Sequence, residues 1–391
     1  MRYSICLFIV AMLLSCENES HDVDYFDMPY QGESEISLDE ISLEKVALDS
    51  LNTSFIGDFY VNDSGIYYVD ERFCTVNKFN IDGSFIETMV GLGKGPNETM
   101  IGRVEGFDNS EKYNILIGPS RDFHAFDPDW RSIIHRTIKS HPRDHIPVNN
   151  TPPTDDPGLY SLDYFNMDIE NFNEKLFISV STDHPYCHPF LPLYYEECPI
   201  IVQVDFWSGT WEEMFGRRSP KYRNYNGLGQ FSFFTFELDD KGRFYVGFEI
   251  DPKVYVYDRG FNPLHSFGMK GHDMDTTYTD ISIQGNIHDP DNLRRVRDIT
   301  ESDRSTKGYY KSLKLFDDMQ MLFRTYSKNQ QTDNDGLQIY KKEVLIGDVP
   351  VPKSFEVVGY SAPYFYGQIN GNGDAELLQL YRFKILGNYE K

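Results

Sequence analysis

Long apolar runs are missing from this 391-residue chain after Leu14. No later segment offers the roughly 20 apolar residues that a membrane-spanning helix needs. Basic residues are also in deficit: 37 Lys and Arg stand against 61 Asp and Glu, for a net charge of −24. That balance excludes nucleic acid as a partner of the whole surface and disfavours anionic headgroups. Helical periodicity is nearly absent and surfaces only weakly over 290–300, where a short inserted helix is expected. Catalytic signatures are lacking as well: there is no serine elbow and no His-Glu-x-x-His, and the glycine-rich stretch 91–95 lacks the Gly-Lys-Ser/Thr ending of a phosphate loop. His184 and His188 have a helical metal-ligand spacing that Glu196 or Glu197 could complete, but Pro185 and Pro189 break the helix. A rigid aromatic lid of Tyr186, Phe190, Tyr194 and Tyr195 is the better reading there, and neither metal nor cofactor is expected. Cysteine is sparse too; beyond Cys6 and Cys16 only Cys74, Cys187 and Cys198 remain. Cys187 and Cys198 share one Pro- and Tyr-rich loop and are a candidate disulfide in an oxidising compartment, while Cys74 reads as a small buried hydrophobe.

The one apolar run present, from Ile5 to Leu14, is too short to span a bilayer and reads as the core of a signal peptide. The residues Leu13, Leu14, Ser15 and Cys16 that close it resemble the lipobox of bacterial lipoproteins. The resemblance implies a signal peptide over 1–15 and lipidation of Cys16, with an uncleaved anchor and ordinary signal cleavage as the alternatives. Lipid chains contribute about 0.8 kcal/mol per buried methylene, so more than one chain anchors stably without a spanning helix. Glu17, Glu19, Asp22, Asp24 and Asp27 make residues 16–35 an acidic spacer, similar to the surface-export tether of Bacteroidota lipoproteins or else a solvated stand-off. The expected location is the bacterial cell envelope, on the periplasmic or surface face of the outer membrane, with the membrane as partner through the anchor.

The remainder is repetitive. Residues 60–69 match 237–246, with Asp63, Gly65, Tyr68 and Val69 recurring as Asp240, Gly242, Tyr245 and Val246. Each copy continues through two further strand patterns to a loop of glycine and lysine, giving an antiparallel four-stranded unit of about 40 residues, the size of a propeller blade. Weaker copies bring the expected count to six. The expectation is therefore an all-β, six-bladed β-propeller over 36–391, with blades at 51–98, 103–145, 158–218, 228–272, 306–353 and 354–387. Residues 36–48 are the expected closing strand, completing the last blade from the other end of the chain. Aromatic residues, 15% of the chain, suit the wedge-shaped gaps between blades.

The loop Gly91-Leu92-Gly93-Lys94-Gly95-Pro96-Asn97-Glu98 resembles the signature loop of the TolB-like six-bladed propeller lipoproteins of the Bacteroidota, departing from it at Asn97, where glycine is commoner. With the lipobox, the acidic spacer and the Asp-x-Gly turns, the resemblance covers the whole chain. It implies a fold and not an activity, because function resides in sites carried by a fold.

In a propeller the connections between the second and third strands of a blade, and those from one blade to the next, emerge on one face, which is the default binding surface. The connections expected there carry Lys94, Glu98, Arg103, His141, Arg217, Arg218, Arg223 and Lys270. They suggest a basic channel mouth on an acidic body, although loops collect charge in any protein. The functional expectation is a binding or scaffold module for a small anionic or carbohydrate ligand, or for an envelope protein. The alternative is a lyase or hydrolase using His and Arg at the channel mouth.

Overall fold

The computed structural model describes residues 24–110, 112–139, 154–163, 167–182, 184, 187, 189, 191–225, 228, 231–281, 289–329, 331–369 and 378–385. Cys16, the signal segment and His141 lie outside the described residues. Short strands of alternating aromatic and β-branched residues pair with their chain neighbours, mostly through tight polar turns; the long connection between Lys175–Thr182 and Ile201–Asp205, with the short helix Pro192–Glu196, is an exception. The strands Gly57–Asn62, Gly65–Asp70, Thr75–Phe79 and Phe85–Leu92 follow one another antiparallel in this way. Gly65 opens its strand at φ 145°, and a Cβ there would lie 2.6 Å from the carbonyl oxygen of Phe79, so the turn that recurs in the repeat needs glycine.

The described strands form five sheets. Four have the size of single blades. The first holds Gly106–Asn109, Asn114–Ile117, Asp122–Phe126 and Ser132–Thr137. The second is built on Lys175–Thr182, which pairs with both Tyr160–Leu162 and Ile169–Phe172 on one side and with Ile201–Asp205 on the other; Trp211–Phe215 follows. The third runs Phe234–Leu238, Phe244–Phe248, Val254–Tyr257 and Pro263–Phe267. The fourth runs Tyr309–Phe316, Met321–Ser327, Asn334–Lys341 and Val344–Pro352. The fifth sheet is nine-stranded and joins the first repeat to the last.

The expectation of six separate blades is corrected accordingly to four blade-sized sheets and one double-width sheet. The cause is local. Gly359 of the strand Phe355–Ser361 pairs in parallel with Val61, and a Cβ at Gly359 would lie 2.2 Å from the Val61 carbonyl oxygen. Glycine lets the two inner strands approach until they hydrogen-bond. Around the axis, Gly106–Asn109 stands beside Ile169–Phe172, which neighbours Phe234–Leu238, then Tyr309–Phe316, Phe355–Ser361 and Gly57–Asn62 in turn. The innermost strands thus surround a common channel in a propeller-like arrangement.

The segment before the first repeat is divided where one strand over 36–48 was expected. Tyr30–Gln31 adds in parallel to Pro263–Phe267, Ser34–Leu38 in parallel to Val344–Pro352, and Glu44–Val46 antiparallel to Leu380–Phe383. Each occupies an outer sheet edge. The chain thereby covers backbone groups that would otherwise be open to edge pairing.

Aromatic rings fill the gaps between sheets. Phe261 stacks on Tyr257 at 4.2 Å and on Phe215 at 5.0 Å, and Phe177 meets Phe244 edge-on at 5.0 Å. The helix Pro290–Thr306 interrupts the all-β pattern between the third and fourth sheets. It begins as a capped helix should: the Asp289 carboxylate accepts from the Asp291 amide at 2.9 Å, with proline in the first turn. Arg304 near its end is tied to buried Glu249 at 2.7 Å.

Candidate functional site

The polar centre of the molecule is a cavity of about 520 Å³ at one end of the channel, lined by residues that begin or precede the inner strands and by the turn at Glu71. Gly57 and Asp58 start one inner strand, and Asp168 immediately precedes another. Glu237, Lys311 and Glu356 stand on three more. Successive side chains of a strand point to opposite faces of its sheet, so the inner strands place polar groups in the gaps where neighbouring sheets meet at the channel. The polar groups of different sheets therefore converge although they are far apart in the chain.

Each lining group is held. The Gln368 side chain donates to Asp58 Oδ1 at 2.6 Å while its own carbonyl accepts from the Phe59 amide at 2.7 Å. The Asp168 carboxylate accepts from the Phe236 amide at 3.1 Å, and its backbone amide donates to Ser179 Oγ at 3.0 Å. Lys314, just deeper, places Nζ 3.0 and 3.1 Å from the two oxygens of Glu237. Lys311 Nζ donates to buried Asp335 at 2.6 Å. Glu71 lies 3.7 Å from Arg103.

Five carboxylates and one lysine on the wall make this an acidic cavity. The surrounding protein keeps bulk water at a distance even where a side chain touches cavity water, and this raises carboxyl pKa values. Burial pushes Asp168 up to about 8, outweighing its bond from the Phe236 amide. Burial also raises Asp58 and Glu71. Below the wall, burial lifts Asp108 to about 7 against the pull of Lys314, and Glu170 rises well above its usual range. Burial opposes the charge on Lys314, yet Glu237, Glu170 and Asp108 together hold it protonated. At neutral pH the wall therefore holds in Asp168 a carboxylic acid that can donate a hydrogen bond, beside other carboxyl groups whose oxygens can accept one.

The residues expected from sequence are distributed differently. Lys94 is exposed on the loop after Phe85–Leu92, and Glu98 folds back to accept from the Gly95 amide at 2.6 Å. Arg103 is half-exposed and pairs with Glu105 at 3.3 Å as well as with Glu71. Arg217 donates to the Gly216 carbonyl at 2.8 Å and lies over Tyr25, Arg223 faces Glu196 at 3.9 Å, and Lys270 is exposed. None of these described residues lines the cavity; Arg103 reaches it only through Glu71. Arg218 calls for a correction: it is 2% exposed, packs 3.8 Å over the Tyr194 ring, and donates to the Tyr194 hydroxyl and to the Ser232 carbonyl. A loop position in the sequence fixes the end of the propeller and not the direction of the side chain.

Cys187 and Cys198 are both fully buried free thiols, joined by a hydrogen bond between their side chains. That bond and burial push the Cys187 thiol up, whereas the bond from Cys187 and another from Tyr160 bring Cys198 down. Among the described residues one acidic group, Asp239, Asp240 and Asp317, brings its oxygens within 4.8 Å of one another. Asp239 is already committed there to the amides of Lys241 and Arg243 and to the Arg243 side chain, which makes it the organiser of a turn.

The cavity carboxylates escaped the sequence reading, although a signal was present. Glu237 between Phe236 and Leu238, and Glu356 between Phe355 and Val357, are charges inside apolar strand patterns. A charge on the inner strand of a propeller has the channel or a partner on an adjoining strand to face, as Glu237 has in Lys314.

No family model matches the chain, and no curated protein matches it in sequence. Solved structures do. A member of the DUF4221 family from Bacteroides vulgatus superposes with a TM-score of 0.59 at 12% identity, covering 90% of this chain and 98% of that one. An exported protein from Bacteroides fragilis is similar with a TM-score of 0.49 at 14% identity, over 92% of this chain and 99% of that one. At such identities the likeness concerns the fold alone. No described helix is long and apolar enough to cross a membrane.

Proposed function

We propose that this chain is an exported binding module, a TolB-like propeller lipoprotein tethered through Cys16, whose channel cavity takes a small carbohydrate. The observation that carries this reading is the cavity itself: about 520 Å³, open at one end of the channel and lined by Asp58, Glu71, Asp168, Glu237, Lys311 and Glu356. A volume of this order suits a ligand of one or two sugar rings. Carboxyl groups that both donate and accept match hydroxyls, which do the same. The same wall repels an anion, so this reading takes a carbohydrate in preference to an anionic ligand. The repeat units at the two ends of the chain act within this reading as two blades of a six-unit ring despite their shared sheet.

Titration calorimetry on the protein lacking residues 1–16, with neutral and sulfated oligosaccharides side by side, tests the reading. Heat from neutral sugars and none from sulfated ones supports it. Binding confined to the sulfated set would overturn it.

One observation favours a second reading, an envelope hydrolase. Asp168, with its pKa at about 8, is a carboxylic acid at neutral pH and lines the cavity, as a general acid must. Release of reducing ends from oligosaccharides by the wild type, abolished in Asp168→Asn, would establish it.

A further inference from the structure

Two phenylalanines stand in water beside this cavity, and the fold holds them there. Phe55, on the cavity wall, is 47% exposed; Phe73, two residues beyond the wall residue Glu71, is 44% exposed. Neither exposure follows from loose chain. Asp70, which is fully buried, accepts from the amide and hydroxyl of Ser54, both at 2.6 Å, and from the amides of Arg72 and Phe73 at 3.1 and 2.8 Å. One carboxylate thus ties together the two turns that carry the rings. The Thr53 hydroxyl accepts from the Phe55 amide at 3.2 Å, and Phe55 itself is held at φ 59°, a left-handed conformation that a bulky residue rarely adopts. Strain of this kind persists where surrounding structure over-determines it, and it gathers at ligand sites. Leu92, the last residue of the strand Phe85–Leu92, and Met100, on the connection to the next sheet, are also exposed, at 58% and 56%.

Taking the binding reading above as its basis, we propose that Phe55 and Phe73 form an aromatic platform for the apolar face of a sugar ring whose hydroxyls reach the Asp58 and Glu71 side of the cavity. A pyranose has a face of C–H groups and an equator of hydroxyls. The platform covers the first and the carboxyl groups bind the second, so ring stacking selects the orientation and the cavity selects the stereochemistry. An anion gains nothing from either surface, and a flexible aliphatic chain would leave the carboxyl groups without partners.

The test uses the protein lacking residues 1–16 with cellobiose, mannobiose and chitobiose as probes, read by saturation-transfer NMR and calorimetry. Magnetisation passing from aromatic protons to ring C–H protons is expected, with about tenfold weaker binding in Phe55→Gly and restored binding in Phe55→Tyr. Glycine suits the left-handed backbone at this position, so loss of the ring is separated from loss of the fold, and the melting temperature of Phe55→Gly should equal or exceed that of the wild type. Unchanged affinity in Phe55→Gly and Phe73→Ala, with the wild type binding, overturns the platform and leaves the cavity reading intact. Absence of binding of all three probes to the wild type overturns both.

Discussion

Lys314 Nζ lies within reach of both carboxylate oxygens of Glu237, at 3.0 and 3.1 Å, and joins the third sheet to its neighbour, the fourth, through their inner strands. The lysine side chain keeps 39% of its surface open, while Glu237 keeps 12%. Lys314→Met removes the cation that Glu237, Glu170 and Asp108 share. Breaking a buried pair costs about 3–5 kcal/mol, and the water reaching Lys314 reduces this to about 1–3 kcal/mol. Urea unfolding at neutral pH measures it. Lys314→Met combined with Glu237→Gln should recover part of the loss, and equal losses in the single and double variants would contradict the pairing.

The proton on Asp168 makes stability depend on pH in a definite direction. The folded pKa is raised to about 8, whereas an unfolded aspartate titrates near about 4. Between those values the folded state holds a proton that the unfolded state has lost, so stability falls as pH rises through the window and levels off above it. Asp108, raised to about 7, acts with the same sign over a narrower range. Melting curves from pH 5 to pH 9 should show Asp168→Asn gaining on the wild type as pH increases. Parallel curves would mean that Asp168 is ionised throughout.

Arg218 is a packing residue. Truncating it removes the guanidinium stacked on Tyr194 and leaves the Ser232 carbonyl and Tyr194 hydroxyl without their donor. Arg218→Ala should lower stability by about 3 kcal/mol, by the large-to-small and lost-hydrogen-bond costs together. Arg223→Ala, which loses only a long surface pair, should change it by less than about 0.5 kcal/mol. Denaturant titration separates the two, and equal effects would place Arg218 in solvent.

The thiols of Cys187 and Cys198 already interact, so export to an oxidising compartment is expected to join them by exchange with a protein disulfide. The signature is a mass about 2 Da below that of the reduced chain, with melting lowered by reductant. A bridge closing so short a loop is worth about 3 kcal/mol. A reduced mass after secretion would show that the pair stays as thiols.

Gly359→Ala addresses the double-width sheet. The new methyl meets the Val61 backbone oxygen at 2.2 Å, so the two inner strands must separate. A destabilisation of about 2 kcal/mol or more is expected, together with faster amide exchange near Val61. Unaltered exchange there would show that the seam tolerates side chains.

Much of the architecture was legible in the chain because its turns are specific. The recurrence of Asp63 and Gly65 as Asp240 and Gly242 marks hairpins that the structure contains. The joining of the terminal repeats was not legible, since it depends on the contact of Gly359 with Val61, nearly the whole chain apart. The site divided in the same way. Local charge on the loops was visible, but Arg218 turned inward for reasons set by Tyr194 and Ser232. The carboxyl groups of the cavity gain their character only when separate sheets bring them together.

The three short strands before the first repeat have a mechanical consequence. Tyr30–Gln31, Ser34–Leu38 and Glu44–Val46 lie in succession along the rims of three sheets, two of them parallel to their hosts. A pull on the N-terminal side meets these strands one after another, like a belt threaded through loops. Load is taken up at the circumference, and the channel with its polar lining is spared.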